Sequence, residues 1–242
     1  MVRFRNILWA FVLAVVSLTT GSGQTLDVYE YQSEFVWGIN KNTSGGLIGG
    51  FVFKKSRKLT DRMFETFGLE IMNVKHPQEV RRNSPYSGNF YSFGKNNYLY
   101  AFRFQYGRDL VLFKKAPQQG VEIKAVGAIG PSLGIVAPYY VEWGSIDMPF
   151  TIREQYHPGI PEENILGPGH LFEGLGESNL AIGANLKLAI NFEFGAFKSQ
   201  VTGFEGGFLL DAYAKEIEMV PSAKNYWAYP TFFITFFYGS RK

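Results

Sequence analysis

Residues 178–194 read SNLAIGANLKLAINFEF, and they separate into two faces. The even positions are apolar, as at Leu186 and Phe192, whereas the odd positions are polar or small, as at Lys187 and Glu193. A repeat of two places successive side chains on opposite sides of a β-strand. Ordinary strands stop after about five or six residues. A longer strand with one apolar and one polar face is typical of the wall of a membrane barrel, between lipid and a polar interior.

The same alternation recurs along the chain and predicts about eight strands. The other seven predicted strands are residues 27–40, 45–54, 63–74, 97–110, 120–134, 200–215 and 229–238. The connections after the second, fourth and sixth strands are short (55–62, 113–119 and 195–199). Those after the third, fifth and seventh are longer (75–96, 136–177 and 216–228). We therefore predict an all-β fold, a closed antiparallel transmembrane β-barrel with short periplasmic turns and long extracellular loops.

The first residues have the pattern of a secretory signal peptide. Arg3 and Arg5 precede the apolar run 7–16, and small polar residues follow it. The run is too short to span a bilayer, which takes roughly 20 residues. We expect residues 1–23 to be the signal peptide and residues 24–242 to form the barrel domain. No later apolar run approaches the length of a membrane helix, so any membrane span must be built from strands.

The composition agrees with a membrane barrel. Aromatic residues make up 17% of the chain, with 23 Phe and 14 Tyr, and girdles at the two membrane interfaces use such residues. The net charge of +3 comes from scattered residues, so no nucleic-acid partner is expected. Because the chain has no cysteine, disulfides and a lipid anchor on cysteine are excluded. The alternative is a soluble lipocalin-like barrel, in which the apolar faces would point inward.

The polar faces carry isolated charges that a narrow barrel would enclose. An eight-stranded barrel has an interior just wide enough to be filled by side chains, so these charges must pair. Arg103 is the predicted hub, because its planar guanidinium can bind two carboxylates. A structural network that fills the lumen is the first interpretation, and a path for protons or a small solute is the second. The predicted lumen network is Glu30, Glu34, Glu70, Arg103, Glu122, Lys124, Lys187, Glu193, Glu205 and Asp211.

The connection of residues 136–177 is far longer than ordinary loops, which indicates a function. It is also rich in apolar residues, so it either packs on itself as a cap over the barrel or binds another protein. We expect a partner-docking surface there, formed by Trp143, Phe150, Tyr156, His157, His170 and Phe172. The spacing of the two histidines matches no zinc site, so no metal and no cofactor are expected.

One catalytic alternative is a lipid A-modifying enzyme with a paired His and Ser on a strand. Ser178 lies at the start of the sixth predicted strand, but no His stands two residues before it, and His170 belongs to the loop. The sequence therefore favours a protein that is not an enzyme.

In its architecture, the chain resembles small outer-membrane β-barrel proteins of the Bacteroidetes type. NYLYAFR (97–103), GRD (107–109) and FKKAP (113–117) look like a family signature. The chain departs from the usual barrel ending, because the aromatic Tyr238 is followed by a short basic tail. Similar Bacteroidetes barrels include accessory subunits of the type 9 secretion machinery, so the resemblance implies a role of that kind.

Together these features predict a non-enzymatic barrel in the cell outer membrane, in contact with outer-membrane lipid. We expect it to be a structural or accessory subunit of a cell-envelope assembly that docks a protein partner through its long loops. The alternative is a narrow channel or carrier for a small solute. The oligomeric state does not follow from the sequence.

Overall fold

The structure is a computed structural model, and it describes residues 31–45, 49–114, 120–144, 150–170, 173–194 and 199–242. The predicted signal peptide lies outside the described residues, as do Glu30 and Phe172.

Eight antiparallel strands form a closed barrel. They are β1 (Ser33–Asn42), β2 (Gly50–Thr60), β3 (Met63–Val74), β6 (Asn97–Phe113), β7 (Glu122–Pro138), β11 (Asn179–Phe194), β12 (Gln200–Ile217) and β13 (Tyr226–Arg241). Their order around the ring is β1, β13, β12, β11, β7, β6, β3 and β2. The predicted all-β transmembrane barrel fold is thereby confirmed.

The connections are unequal at the two ends of the barrel. At one end, β2 joins β3, β6 joins β7, and β11 joins β12 through short turns, and we call this the short-turn end. The remaining four connections meet at the other end, which we call the long-loop end. The asymmetry predicted from the sequence is therefore present.

Most strands differ by a few residues from their predicted bounds, and two of these differences add charged residues to the interior face. The structure places β2 at Gly50–Thr60 instead of residues 45–54, because Lys54 and Ser56 continue the buried face of the strand. The predicted end of the last strand at Tyr238 is also wrong. β13 continues through the tail, where Gly239 and Arg241 pair with β1. The basic tail is therefore part of the barrel wall, and its alternation places Arg241 on the interior face.

The apolar faces of the strands point outward. On β11, Ile182 is 71% exposed and Leu188 is 55% exposed, whereas Lys187 is 3% exposed. The other strands repeat this arrangement, with Phe35, Phe104 and Phe236 among the exposed residues. A lipocalin-like barrel has the reverse arrangement, so that alternative is wrong. No helix among the described residues is long and apolar enough to cross a membrane.

The long-loop end contains two small sheets outside the barrel. β4 (Val80–Asn83) and β5 (Phe90–Phe93) form a hairpin, and β8 (Tyr140–Trp143) pairs with both β9 (Ile152–Gln155) and β10 (Ile165–Pro168). Their shared apolar core, which we call the loop core, contains Tyr91, Tyr139, Val141, Tyr156, Ile160 and Ile165. The loops are therefore packed structures built above the barrel.

A second apolar cluster closes the barrel mouth at the long-loop end. The connection between β12 and β13 turns inward there, so that Met219 is fully buried against Leu99 and Tyr213. The Asn225 side chain holds this connection, because its Oδ1 accepts the Met219 N–H at 2.9 Å. The interior is thereby separated from the solvent at this mouth.

Candidate functional site

Ionisable side chains fill the barrel interior in two clusters. The first lies toward the long-loop end, and we call it the loop-side ion cluster. Its chain of contacts starts at Arg103, whose Nε lies 2.9 Å from Asp211 Oδ2 and whose Nη1 lies 3.3 Å from Glu70 Oε2. Lys187 Nζ then bridges Glu70 at 2.6 Å and Glu205 at 2.7 Å. Arg103 thus binds two carboxylates from two different strands.

Lys54 completes the loop-side ion cluster. Its Nζ lies 2.6 Å from Asp109 Oδ2 and 3.3 Å from Glu205 Oε2. The cluster therefore joins β2, β3, β6, β11 and β12 across the lumen. Side chains from opposite walls meet across the lumen because the barrel is narrow.

The second cluster lies toward the short-turn end, and we call it the turn-side ion cluster. Lys124 pairs with Glu193 and lies 3.2 Å from Glu122 Oε1. Arg241 pairs with Glu193 and places its Nε 2.6 Å from Glu34 Oε2. The tail of the last strand therefore contributes a cation that binds carboxylates on the first strand and on β11.

Carboxylates outnumber cations in this interior. Among the described residues, the two clusters hold five cations, Lys54, Arg103, Lys124, Lys187 and Arg241. They hold seven carboxylates, Glu34, Glu70, Asp109, Glu122, Glu193, Glu205 and Asp211. Nine of these twelve residues were named from the sequence as the lumen network.

Three members of the clusters were not predicted from the sequence: Lys54, Asp109 and Arg241. Each one continues the alternation of its own strand: Lys54 shares the buried face of β2, and Asp109 follows Arg103 in steps of two along β6. Arg241 was missed because the strand was ended too early. The alternation of polar and apolar residues therefore identifies all three residues as interior when it is followed to the end of each strand.

The side-chain amide of Asn185 binds backbone carbonyls at a point where the pairing of two barrel strands is interrupted. The pairing between β6 and β7 is interrupted around Pro131, which lacks a backbone N–H. Asn185 on β11 donates from its Nδ2 to Gly130 O at 3.0 Å and to Pro131 O at 3.1 Å. Because unpaired buried carbonyls are costly, Asn185 stabilises this point of the wall.

Two small cavities lie beside the ion clusters in the part of the chain that the structure describes. One interior cavity lies next to Lys54 and Glu205, another lies next to Lys54 and Lys187, and each has a volume of about 10 Å³. A cavity needs about 10–15 Å³ to hold a single water molecule. At the short-turn end, Tyr31 and Phe64 stack with their ring centroids 4.8 Å apart.

The residues predicted for partner docking fall into two groups. Tyr156 is 4% exposed and belongs to the loop core, and Trp143 is half-buried against the same core. These two residues are therefore not part of an open docking surface, because their own loop covers them. Phe150 is 63% exposed, and His157 and His170 are also exposed.

The exposed polar groups of this loop have ordinary local partners. His157 Nε2 lies 3.5 Å from Glu154 Oε1, and the backbone N–H of His170 donates to Glu173 Oε2 at 2.6 Å. Within the described part of the chain, no group of three His, Cys, Asp or Glu residues is arranged to hold a metal ion.

The hairpin of β4 and β5 carries exposed apolar residues that were not predicted from the sequence. Val80, Tyr86 and Phe90 are each half or more exposed on it. Arg81 lies over the Phe90 ring, with 4.6 Å between its Cζ and the ring centroid. Phe150 on the long loop is also exposed, and we use the name exposed apolar patch for Val80, Tyr86, Phe90 and Phe150, which all lie at the long-loop end. Its residues lie on loops, beyond the ends of the barrel strands.

Burial shifts the pKa of two groups at the long-loop end. It raises the pKa of Tyr139 to about 12, and the Ser92 N–H that donates to the Tyr139 hydroxyl at 3.0 Å offsets part of that increase. Burial lowers the pKa of Lys95, although the neighbouring Glu79 carboxylate opposes this change. Lys95 Nζ lies 2.8 Å from Glu79 Oε2.

Comparisons with known proteins yield structural neighbours only. No protein-family model matches the chain, and no curated protein sequence matches it. The structure is similar to that of Ail, the attachment invasion locus protein of Yersinia pestis, with a TM-score of 0.41 and 10% identity over 88% of this chain and 99% of that one. It is also similar to Neisserial surface protein A (NspA), with a TM-score of 0.42 and 8% identity over 88% of this chain and 97% of that one. At such values the function must be argued from this chain's own residues.

Proposed function

We propose that this protein is a non-enzymatic β-barrel of the outer membrane, where it serves as a structural or accessory subunit of a cell-envelope assembly. Its barrel anchors it in the lipid, and its long-loop end faces outward and binds a protein partner. A secretion-related assembly is the host that the resemblance to Bacteroidetes barrels favours.

One observation carries this proposal: side chains fill the lumen, whereas the loops at the long-loop end are folded. The ion clusters bridge opposite walls, and Met219 is buried in the mouth. A barrel filled in this way can bind other molecules at its loops but not in its lumen. The loop core keeps those loops in one arrangement, which lowers the entropy lost when a partner binds.

The exposed apolar patch is the surface that we assign to the partner. Tyr86, Phe90 and Phe150 are exposed there, and aromatic residues are enriched at the centres of protein interfaces. Unlike the apolar residues of the strands, these residues have no lipid to cover them.

The test is co-purification of the full chain from cross-linked native cells. We expect a defined partner to elute in a fixed ratio with the wild-type protein and to be lost from the variant Tyr86→Ser with Phe150→Ser. Deleting the whole loop is a poorer test, because the loss of Tyr156 and Ile165 would uncover the rest of the loop core.

The matched control is Glu163→Ala, which changes an exposed residue of the same long loop and leaves the patch intact. We expect this control to retain the partner. Retention of the same partner by the Tyr86 and Phe150 variant would contradict the docking assignment.

The alternative function is a narrow channel or carrier for a small solute. It is favoured by one observation, the excess of carboxylates in the interior, which is a property of many cation paths. Purified protein in planar bilayers distinguishes the two functions. We expect no steady current from the wild-type barrel, and a steady open current would contradict the filled lumen.

A further inference from the structure

Charged side chains lie on the outer face of the barrel wall near the short-turn end, on β2, β3 and β6. Arg57, Glu65 and Arg108 stand directly opposite one another on these three strands. Lys55 lies two residues before Arg57 on the same outward face of β2, and Lys55, Arg57 and Arg108 are all exposed. We call these four residues the charged row. A charge on the lipid face of a barrel costs folding free energy that increases toward the midplane, so the charged row requires an explanation.

Apolar side chains flank the charged row on both sides. Phe67 pairs with Tyr106 next to it toward the long-loop end, and both are exposed. Met63 pairs with Leu110 next to it toward the short-turn end, and both are exposed as well. The charged row is therefore set into an apolar surface. From such a position, long Lys and Arg side chains extend along the wall to the polar head groups of the lipid.

One cation of the charged row is held in place by its neighbours. Glu65 Oε1 lies 3.0 Å from Arg108 Nη1 and accepts a hydrogen bond from the Tyr106 hydroxyl at 2.7 Å. The Arg108 guanidinium also lies over the Tyr106 ring, with 4.9 Å between its Cζ and the ring centroid. A side chain that is already fixed loses less conformational entropy when a ligand binds to it.

The other two cations of the charged row have no such partner. Among the described residues, no carboxylate lies at ion-pair distance from Lys55 or Arg57, and Glu65 is already bound to Arg108. Three cations therefore stand against one carboxylate. A second copy of this chain, related by a twofold axis, would bring the same three cations to the contact, and like charges repel. The charge of the row instead favours an anionic occupant.

We propose that the charged row binds the phosphate group of an anionic phospholipid from the surrounding membrane. Arg57 and Lys55 bind the phosphate oxygens beside Arg108, because a guanidinium matches the geometry of a phosphate. The acyl chains then lie along Phe67 and the apolar wall beyond it. In the proposed orientation the short-turn end lies in the periplasmic leaflet, which consists of phospholipids in an outer membrane. The assignment needs only a barrel in a membrane, so it stands whether or not the exposed apolar patch binds a protein.

The test compares phosphatidylglycerol with phosphatidylcholine of the same acyl chains, each added to the full chain in detergent micelles. Both lipids have the phosphate, but the choline group cancels its charge. Native mass spectrometry at increasing lipid concentration gives the dissociation constant of the first bound lipid. We expect phosphatidylglycerol to bind about tenfold more tightly, the size of one hydrogen bond between charged groups. Equal dissociation constants would overturn the proposal.

Two variants locate the site. Arg57→Gln removes an exposed cation of the charged row, so it should weaken phosphatidylglycerol about tenfold and bring its affinity to that of phosphatidylcholine. Lys41→Gln makes the same change of charge on the outer face of β1 near the long-loop end, and it should leave both affinities unchanged. Unchanged phosphatidylglycerol binding by Arg57→Gln, or an equal loss in Lys41→Gln, would overturn the assignment to the charged row.

The same spectra test a second copy of the chain as the occupant. We expect the wild-type protein and Arg57→Gln to have the same oligomeric state, because lipid rather than protein covers the charged row. A dimer of the wild-type protein that Arg57→Gln fails to form would overturn the lipid assignment.

Discussion

Arg103 shows how a single residue ties together the interior of this barrel. Its Nε and Nη2 bind Asp211, its Nη1 reaches Glu70, and all three side chains are almost completely buried. Burying such charges costs free energy, which their mutual attraction recovers only when every charge has a partner. The arrangement therefore makes each member of the cluster depend on the others.

We predict that Arg103→Met lowers the free energy of unfolding by about 3–5 kcal/mol, the usual cost of leaving a buried charge without its partner. Asp211 loses its hydrogen bonds from Nε and Nη2 of Arg103, although Ser132 Oγ still donates to it at 3.0 Å. Glu70 keeps Lys187 at 2.6 Å. The measurement is a urea titration of the protein folded into lipid vesicles, followed by tryptophan fluorescence.

The control is the double variant Arg103→Met with Asp211→Leu. It removes the orphaned carboxylate together with its partner, and apolar replacement of a buried pair is often neutral. We expect it to regain most of the lost stability. A double variant as unstable as Arg103→Met would show that the pair contributes through packing rather than charge.

At the scale of residues, the sequence predicted which side chains enter the lumen but not which of them touch. The period of two assigns Glu70 and Arg103 to the interior, because each lies on the polar face of its strand. The contact between Lys54 and Asp109 depends on the order of strands around the ring and on the tilt of side chains across it. Neither quantity can be read from a single strand.

At the scale of elements, the loops at the long-loop end act together because buried groups join them. His76, just after β3, lies with its Nε2 3.0 Å from the Lys224 carbonyl oxygen and accepts the Gln78 N–H at Nδ1. Its ring also stacks on Tyr226, with the centroids 5.6 Å apart. Two loops far apart in sequence are thereby held side by side. Alternation of strands carries no information on such contacts, which explains why the sequence predicted a loop but not its fold.

We predict that the stability of the long-loop end falls as the pH rises from 10 to 12. Tyr139 keeps its proton until about pH 12 in the folded protein, whereas an unfolded tyrosine ionises near its ordinary value of 10.0. A raised pKa in the folded state stabilises the fold below pH 10, and that contribution is lost as the pH rises through the higher value. Urea titrations across this range measure the decline.

The matched variant is Tyr139→Phe, which removes the ionising group and also the hydrogen bond from Ser92. We expect its stability at neutral pH to be lower and its decline between pH 10 and 12 to be shallower. The difference in tyrosinate absorbance between the two proteins should titrate near pH 12. A difference that titrates near pH 10 would contradict the burial of this hydroxyl.

At the scale of the whole molecule, the distribution of charged and apolar residues is the inverse of that in a soluble protein. Charged residues fill its centre, and Leu, Ile and Phe cover its wall. Hydrogen-bonded closure leaves no free strand edge in the wall, as a span through lipid requires. Polar residues on the outer wall gather near the short-turn end, where Arg108 pairs with Glu65 at 3.0 Å. This boundary suits the edge of a membrane-embedded band.

Lysine substitutions on the outer wall distinguish a surface that faces lipid from one that faces water. Leu188 is exposed near the middle of β11, so Leu188→Lys should cost about 2–4 kcal/mol of folding free energy in lipid vesicles, as charges do at the bilayer midplane. Leu180→Lys, at the long-loop end of the same strand, should cost only about 0–1 kcal/mol, because the penalty falls toward the interface. Urea titrations of both variants in vesicles give the two costs. Equal costs at the two positions would contradict a membrane around this wall, since water would solvate either lysine.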